Sequence, residues 1–221
     1  MQKSKLQLTQ FEWERVEKEF LSNLKLYFDE IYVSIQILRK NKNNPLIRSQ
    51  LCLAFIGADT FSRFYRIFQG ERDNLDQANK NRFKDWLNAF VLTTENKIYK
   101  KHHSKIKCDA NIIYQLRSSF LHFYSFPKPK KGQDRVLFYF GNIPGHKHIK
   151  IERKFKEKGH KVVFVNVYLL IESILEGFLL QLTKMRKMIK NKPDDYIDAV
   201  LFAHKIIRQE NALTLLIENK H

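Results

Sequence analysis

The spacing of apolar residues near the start of the chain most constrains its fold. From Phe11 to Leu38 they recur at intervals of three and four, which places them along one side of an α-helix. Thr9 is a capping residue type, and Glu12 three positions later completes a capping box. The turn-forming residues from Asn41 to Pro45 end the pattern. The pattern predicts one long amphipathic helix.

Five further segments carry helical periodicity or helix-boundary signals. They run from Leu46 to Phe68, from Leu75 to Phe90, from Asp109 as N-cap to Phe126, from Asn166 to just before Pro193, and from Pro193 onward. Gly70 ends the second of these. The polar segment from Thr93 to Lys107 is interpreted as a loop or a frayed helix. His204 lies on the apolar side of the last helix, which is typical of a core histidine with a hydrogen-bond partner.

The pattern changes between residues 134 and 165. Arg135 to Phe140, Lys147 to Phe155 and His160 to Val165 are rich in β-branched and aromatic residues and are separated by Gly-containing turns. They predict a small three-stranded antiparallel meander inserted between helices. The sequence therefore predicts one domain, residues 1–221, of the all-α class: a bundle of about six helices with a β insertion at 134–165.

The chain carries a formal net charge of +17 over 221 residues. Such an excess attracts polyanions, so it favours nucleic acid as a partner. The positive charge can also reflect composition alone, without a nucleic-acid partner, because Lys, Asn and Ile are abundant together. Part of this charge lies on four residues of the predicted meander: Lys147, Lys150, Arg153 and Lys154. They form either a surface that faces nucleic acid or a solvated sheet edge.

Several functional classes lack their sequence signals. The N-terminus has no apolar signal-peptide core, there are only two cysteines, and no run of about 18 apolar residues would span a bilayer, so a cytoplasmic protein without membrane association is expected. Gly-rich phosphate loops, nucleophile elbows and H-E-x-x-H motifs are missing. His102, His103 and Cys108 have poor zinc spacing, and the His146 and His148 pair lacks a completing carboxylate. No metal or cofactor is predicted.

One candidate site stands out, in the stretch YQLRSSFLHFYSF from Tyr114 to Phe126. It contains Arg117, a permanent cation, and His122, whose imidazole can accept and donate a proton, within an otherwise apolar helix. This pair of groups suits phosphate chemistry. Because residues five apart on a helix differ by about 140° around its axis, a long side chain or a helix end between them is needed to bring both to one phosphate.

Asp59, in the segment IGADTFSRFY of the second helix, is the candidate support for this pair. A carboxylate beside an apolar helix face usually forms a salt bridge or a hydrogen bond between helices. The more specific interpretation is that Asp59 orients Arg117 or His122. The spacing R-x4-6-H also occurs from Arg153 to His160, but across a turn that would not fix the two side chains.

The segment LRSSFLH resembles the motif of the HEPN superfamily, R-x4-6-H in an all-helical bundle, with Arg117 and His122 at its two defining positions. The order of segments is also similar: a long first helix, a second helix with an internal acidic residue, an F-x-x-W-type segment at Phe83 and Trp86, the motif, a β insertion and two closing helices. Many catalytic members carry Asn, Asp or His after the arginine, where this chain has Ser118.

This resemblance implies a metal-independent endoribonuclease, commonly a homodimer in which two motifs meet across the dimer axis. Arg117 would hold the scissile phosphate and His122 would transfer protons at the 2′-hydroxyl or leaving oxygen, with Ser118 in support. The expected partner is RNA, and an antitoxin-like protein is a further candidate, in a toxin–antitoxin or defence role. The alternative is a non-catalytic HEPN-like module that binds nucleic acid or regulates another protein.

Overall fold

Helices dominate the computed structural model, which describes residues 10–40, 46–71, 79–123, 135–139, 150, 153–157, 162–191 and 193–218. The α-helices are α1 (Gln10–Lys40), α2 (Ile47–Phe68), α3 (Asn79–Trp86), α4 (Lys97–His102), α5 (Ala110–Phe123), α6 (Val167–Asn191) and α7 (Pro193–Glu218). A π-helical turn, Leu87–Val91, extends α3, and a 3-10 turn, His103–Lys105, extends α4. Each of the six predicted helices has a counterpart, and α4 is additional.

Several predicted helix ends are confirmed by their hydrogen bonds. Asp109 Oδ1 accepts a hydrogen bond from the backbone N–H of Ile112 at 2.8 Å, which caps α5. Asn166 Oδ1 does the same for Leu169 at 3.1 Å at the start of α6. Gly70 follows α2 with a φ of +87°, the left-handed conformation that ends helices. The predicted cap at Thr9 lies outside the described residues.

The core forms where α1, α2 and α6 cross. Gly57 on α2 allows the close approach, because a Cβ atom there would lie 2.7 Å from Ile31 Cδ1 of α1 and 2.8 Å from Phe178 Cζ of α6. Phe61 stacks on Phe178 with ring centroids 4.4 Å apart. The helices α3 and α5 pack against α2, and α7 packs against α1, α2 and α6. The predicted core histidine, His204 on α7, is buried and bonded to Glu19 Oε2 of α1 at 3.0 Å.

Buried polar side chains bind the π-helical turn to α6. Ser173 Oγ donates to the carbonyl of Val91 at 3.1 Å, and Asn96 Nδ2 donates at 2.8 Å both to the carbonyl of Phe90 and to that of Ser173. A π-turn disturbs the regular helical ladder, and these bonds satisfy carbonyl groups at its end. Gln181, also on α6, accepts a hydrogen bond from Trp86 Nε1 of α3 at 2.5 Å.

The β insertion differs from its prediction. Strands β1 (Arg135–Tyr139) and β2 (Val162–Asn166) pair in parallel, with Arg135 opposite Val162 and Tyr139 opposite Asn166. The predicted antiparallel meander is therefore wrong. Its middle strand is also wrong where the structure describes it, since residues 153–156 are helical. Parallel strands need a crossover connection rather than a tight turn, and residues 140–161 lie between the two strands in the chain.

None of the helices within the described ranges combines the length and the apolar character that crossing a bilayer requires.

Candidate functional site

Arg117 lies in the interior, on the side of α5 that faces α2 and α3. Only 8% of the residue is exposed, and its neighbours Leu116 and Phe120 are fully or almost fully buried. The guanidinium carbon lies 5.9 Å from the ring centre of Phe83 and 6.0 Å from that of Tyr114. Both distances are typical of cation–π contacts, which compensate in part for removing the cation from water.

Asp59 on α2 is the charged partner of Arg117. Its Oδ2 accepts a hydrogen bond from Arg117 Nε at 3.0 Å and a second, shorter one from Arg117 Nη2. The structure thus brings together two of the residues singled out from the sequence. Of the two partners proposed for Asp59, it is Arg117 that the carboxylate holds.

The other oxygen of this carboxylate, Asp59 Oδ1, is buried and accepts no hydrogen bond from a described residue. Burial raises the pKa of the Asp59 carboxyl above its ordinary value of 3.8, although Arg117 and Arg82 act in the opposite direction. Arg82 on α3 is itself only 5% exposed. Sequence reasoning missed Arg82, because its spacing does not distinguish it from the surface cations of the same helix.

His122 lies in the last turn of α5 and is exposed. The helix continues through both Arg117 and His122, so it does not end between them. Five helical positions give a rotation of about 140° and a rise of about 7.5 Å. One copy of the chain therefore presents the buried guanidinium and the exposed imidazole on different sides of α5. Ser118 is half-buried.

The basic residues of the insertion are at the surface where they are described. Lys150, Arg153 and Lys154 are all exposed, and Lys147 lies outside the described residues. A helical turn, rather than a strand, carries Arg153 and Lys154. Their exposure fits both interpretations of this charge, a nucleic-acid surface and a solvated surface.

No group of three or more His, Cys, Asp or Glu side chains in the described ranges is arranged to hold a metal ion. The His146 and His148 pair falls outside those ranges. Burial of the Cys108 thiol, with a smaller effect of Asp109, raises its pKa to about 12, and a thiol that keeps its proton is a poor metal ligand.

Two cavities lie away from Arg117. One, of about 120 Å³, is lined by α1, α2 and α7 residues that include Leu24, Thr60 and Ile207. The other, of about 340 Å³, lies between the end of α6 and the start of α7, beside Lys187 and Tyr196. Neither cavity is lined by Arg117 or His122.

Comparison with protein-family models, with curated proteins and with solved structures gives no match to this chain.

Proposed function

We propose that this chain is a HEPN-like endoribonuclease that cleaves RNA without a metal ion, at a composite site formed by two copies. The orientation of Arg117 is the observation that carries the proposal. Asp59 occupies the Nε and Nη2 edge of the guanidinium, whereas Nη1 forms no hydrogen bond within the described part of the chain. An arginine fixed along one edge keeps donors in a defined direction, which is what holding a phosphate requires.

In this mechanism His122 removes the proton of the RNA 2′-hydroxyl. The 2′-oxygen then attacks the adjacent phosphorus, and the bond from phosphorus to the 5′-oxygen of the next nucleotide breaks. The protonated imidazole then gives a proton to the leaving oxygen, and the products are a 2′,3′-cyclic phosphate and a 5′-hydroxyl. An imidazole suits this role because its ordinary pKa is near neutral. Arg117 stabilises the negative charge that develops on the phosphate oxygens.

Two copies are required because one copy does not bring both groups to the same phosphate. With Arg117 and His122 on different sides of α5, the proposal requires a two-fold pairing in which His122 of one copy reaches the small exposed part of Arg117 in the other. The proposal therefore includes a homodimer. It also includes a cytoplasmic location, RNA contacts by Lys147, Lys150, Arg153 and Lys154, and restraint by an antitoxin-like protein.

A second candidate function is a non-catalytic HEPN-like module that binds nucleic acid or regulates another protein. The burial of Arg117 favours it, since the residue is 8% exposed and its charge is already balanced by Asp59. Under this proposal, the Asp59 and Arg117 pair joins α2 to α5 and the surface cations bind RNA. The net charge of +17 supports binding under either proposal.

The deciding experiment incubates the purified protein with single-stranded RNA in EDTA and follows the products. The ribonuclease proposal expects cleavage with cyclic-phosphate ends, and loss of at least about two orders of magnitude in rate in His122→Ala, the usual contribution of general acid–base catalysis. His103→Ala is the matched control, because His103 is also an exposed histidine at a helix end. Equal rates in the two variants would refute the catalytic role of His122.

RNA binding without cleavage separates the two proposals. The binding module predicts an affinity that falls steeply with salt while the RNA stays intact. Arg153→Gln together with Lys154→Gln should weaken that binding and reduce its salt dependence. An affinity that is independent of salt would count against both proposals, because both depend on contacts with phosphate.

A further inference from the structure

A basic surface separate from the candidate site lies on α4 and the turn that follows it. Between residues 97 and 107 the chain contains no Asp or Glu. All of the lysines in this segment are exposed: Lys97, Lys100, Lys101, Lys105 and Lys107. They are called the α4 basic surface below.

The backbone under this surface is held at both ends. Asn96 caps α4 by accepting a hydrogen bond from the backbone N–H of Tyr99 at 2.9 Å, and it is fully buried. Ile106 is 1% exposed and pairs with Val165 of β2 in an antiparallel bridge. The lysines therefore project from a fixed segment rather than a free loop, so an anion that binds them does not first have to order the backbone.

The charge of the α4 basic surface is not balanced by nearby carboxylates. Its lysine side chains form no hydrogen bond or ion pair with a residue in the described ranges. The two carboxylates that flank the segment have other partners, since Glu95 pairs with Lys184 at 2.7 Å and Asp109 caps α5. On α1, by contrast, Arg15 and Lys25 each pair with an acidic residue. A polyanion lying across the α4 basic surface would relieve the repulsion among its charges.

Residue type indicates which polyanion suits this surface. Lysine binds phosphate as a point charge and lacks the planar fork with which arginine reads base edges. Helices that lie on membranes combine basic residues with apolar side chains that enter the lipid. None of the large exposed apolar residues in the described part of the chain lies between residues 97 and 107. A nucleic-acid backbone therefore fits this surface better than a lipid bilayer does.

We propose that the α4 basic surface binds the phosphate backbone of RNA, without reading its sequence, at a place remote from the candidate cleavage site. The choice of RNA rests on the proposed function. The recognition of a phosphate backbone rests on the exposed lysines and on their lack of carboxylate partners, and it holds whether or not His122 is catalytic.

The position of α4 relative to α5 implies that the bound RNA is long. The α4 basic surface ends at Lys107, just before α5 begins at Ala110, whereas His122 lies in the last turn of α5. From Ala110 to His122 the helix rises about 18 Å. A dinucleotide has a single phosphate, which cannot occupy both ends of α5, whereas a longer strand can. The substrate under this proposal is a polynucleotide rather than a short fragment.

The test is fluorescence anisotropy of the full chain with a labelled RNA of about 20 nucleotides, methylated at its 2′-oxygens so that it cannot be cleaved. Each phosphate contact on a single strand contributes about 0.7 to the slope of log affinity against log salt. The variant Lys97→Gln, Lys100→Gln, Lys101→Gln should therefore lower that slope by about 2 and bind about 100-fold more weakly at 0.1 M salt.

The matched control removes the same number of exposed lysines elsewhere. Lys18→Gln, Lys25→Gln, Lys205→Gln changes α1 and α7, whereas α4 packs against α6. This control should keep the wild-type slope. Unchanged circular dichroism would show that both triple variants fold.

Equal slopes in the two triple variants would overturn the proposal, because binding would then follow net charge rather than this surface. So would retained RNA binding in the α4 variant together with lost binding to vesicles of anionic phospholipid, which would assign the surface to a membrane. Weak RNA binding by the α4 variant, in a protein whose wild type cleaves no RNA, would support this surface and refute the ribonuclease. If the wild type does cleave, its KM should be lower for the long RNA than for a dinucleotide, and the α4 variant should lose most of that difference.

Discussion

Arg117 of α5 donates two hydrogen bonds to a single oxygen, Oδ2 of Asp59, which lies 58 positions earlier in the chain on α2. The arginine side chain is 10% exposed and the aspartate side chain 21% exposed. Removing one partner of such a pair strands the other charge away from water, which costs far more than the pair contributes to stability.

Asp59→Asn should therefore lower the free energy of unfolding by roughly 2–4 kcal/mol, somewhat less than for a fully buried pair because of the residual exposure. Arg117→Gln should have a similar effect. The double variant should lose less than the sum of the two single variants, since neither charge is then left alone. Urea denaturation measures all three differences. Strict additivity would mean that the two side chains do not interact.

The same pair sets a pH dependence. Burial raises the pKa of Asp59 above 3.8, with Arg117 opposing the shift. Because the folded protein holds this proton more tightly than the unfolded chain, the contribution of Asp59 to stability is fully present below pH 3.8 and is lost as the pH rises through the folded-state pKa. Arg117→Gln should raise that pKa further, which an NMR titration of the carboxyl carbon would detect. A lowered pKa in this variant would contradict the assigned causes.

Gly57→Ala tests the close crossing of α1, α2 and α6. The added Cβ would lie 2.7 Å from Ile31 and 2.8 Å from Phe178, closer than side chains tolerate. Overpacking of this kind costs about 1–3 kcal/mol, which exceeds the gain of up to about 1 kcal/mol from replacing glycine in a helix. Thermal denaturation should show a lowered midpoint. Ile31→Val with Gly57→Ala should recover part of the loss, because the nearest clashing atom, Cδ1, is removed.

Cys108 should resist alkylation in the folded protein. Its pKa of about 12 leaves almost no thiolate at pH 8, and the thiolate is the reactive form. Iodoacetamide labelling followed by mass spectrometry should show modification of Cys108 in urea but not in the native state. Burial also raises the pKa of Cys52, so the same protection is expected there to a smaller degree. Rapid native labelling of Cys108 would show that its thiol is not enclosed.

The helices were predictable because their signals are local. Periodic apolar residues, the Asp109 cap and the Gly70 terminus lie within the segments that they define, and the structure places them as predicted. In the predicted meander the first and third strands also run in the same direction, but a middle strand lies between them. That β1 and β2 pair directly with each other is not a local property, and the alternation of side chains within a strand does not show which strand lies beside it.

The candidate site was only partly predictable for the same reason. Residue type singled out Arg117, His122 and Asp59, and the sequence offered two partners for Asp59. Which side of α5 faces α2 is set by packing, and this packing buries Arg117 with Asp59 and leaves His122 exposed. The contact between Asn96 and the Ser173 carbonyl spans 77 positions, and no local pattern signals it.

The bonds between the π-helical turn and α6 also have a consequence for the order in which the chain acquires its structure. Val91 obtains its side-chain donor from Ser173, 82 positions later, and Trp86 obtains its acceptor from Gln181, 95 positions later. During synthesis, the first half of the protein leaves the ribosome well before these groups exist. The Val91 carbonyl and the Trp86 indole therefore gain these partners only once α6 has been made, so the packing around the π-helical turn is completed after the C-terminal third of the chain is available.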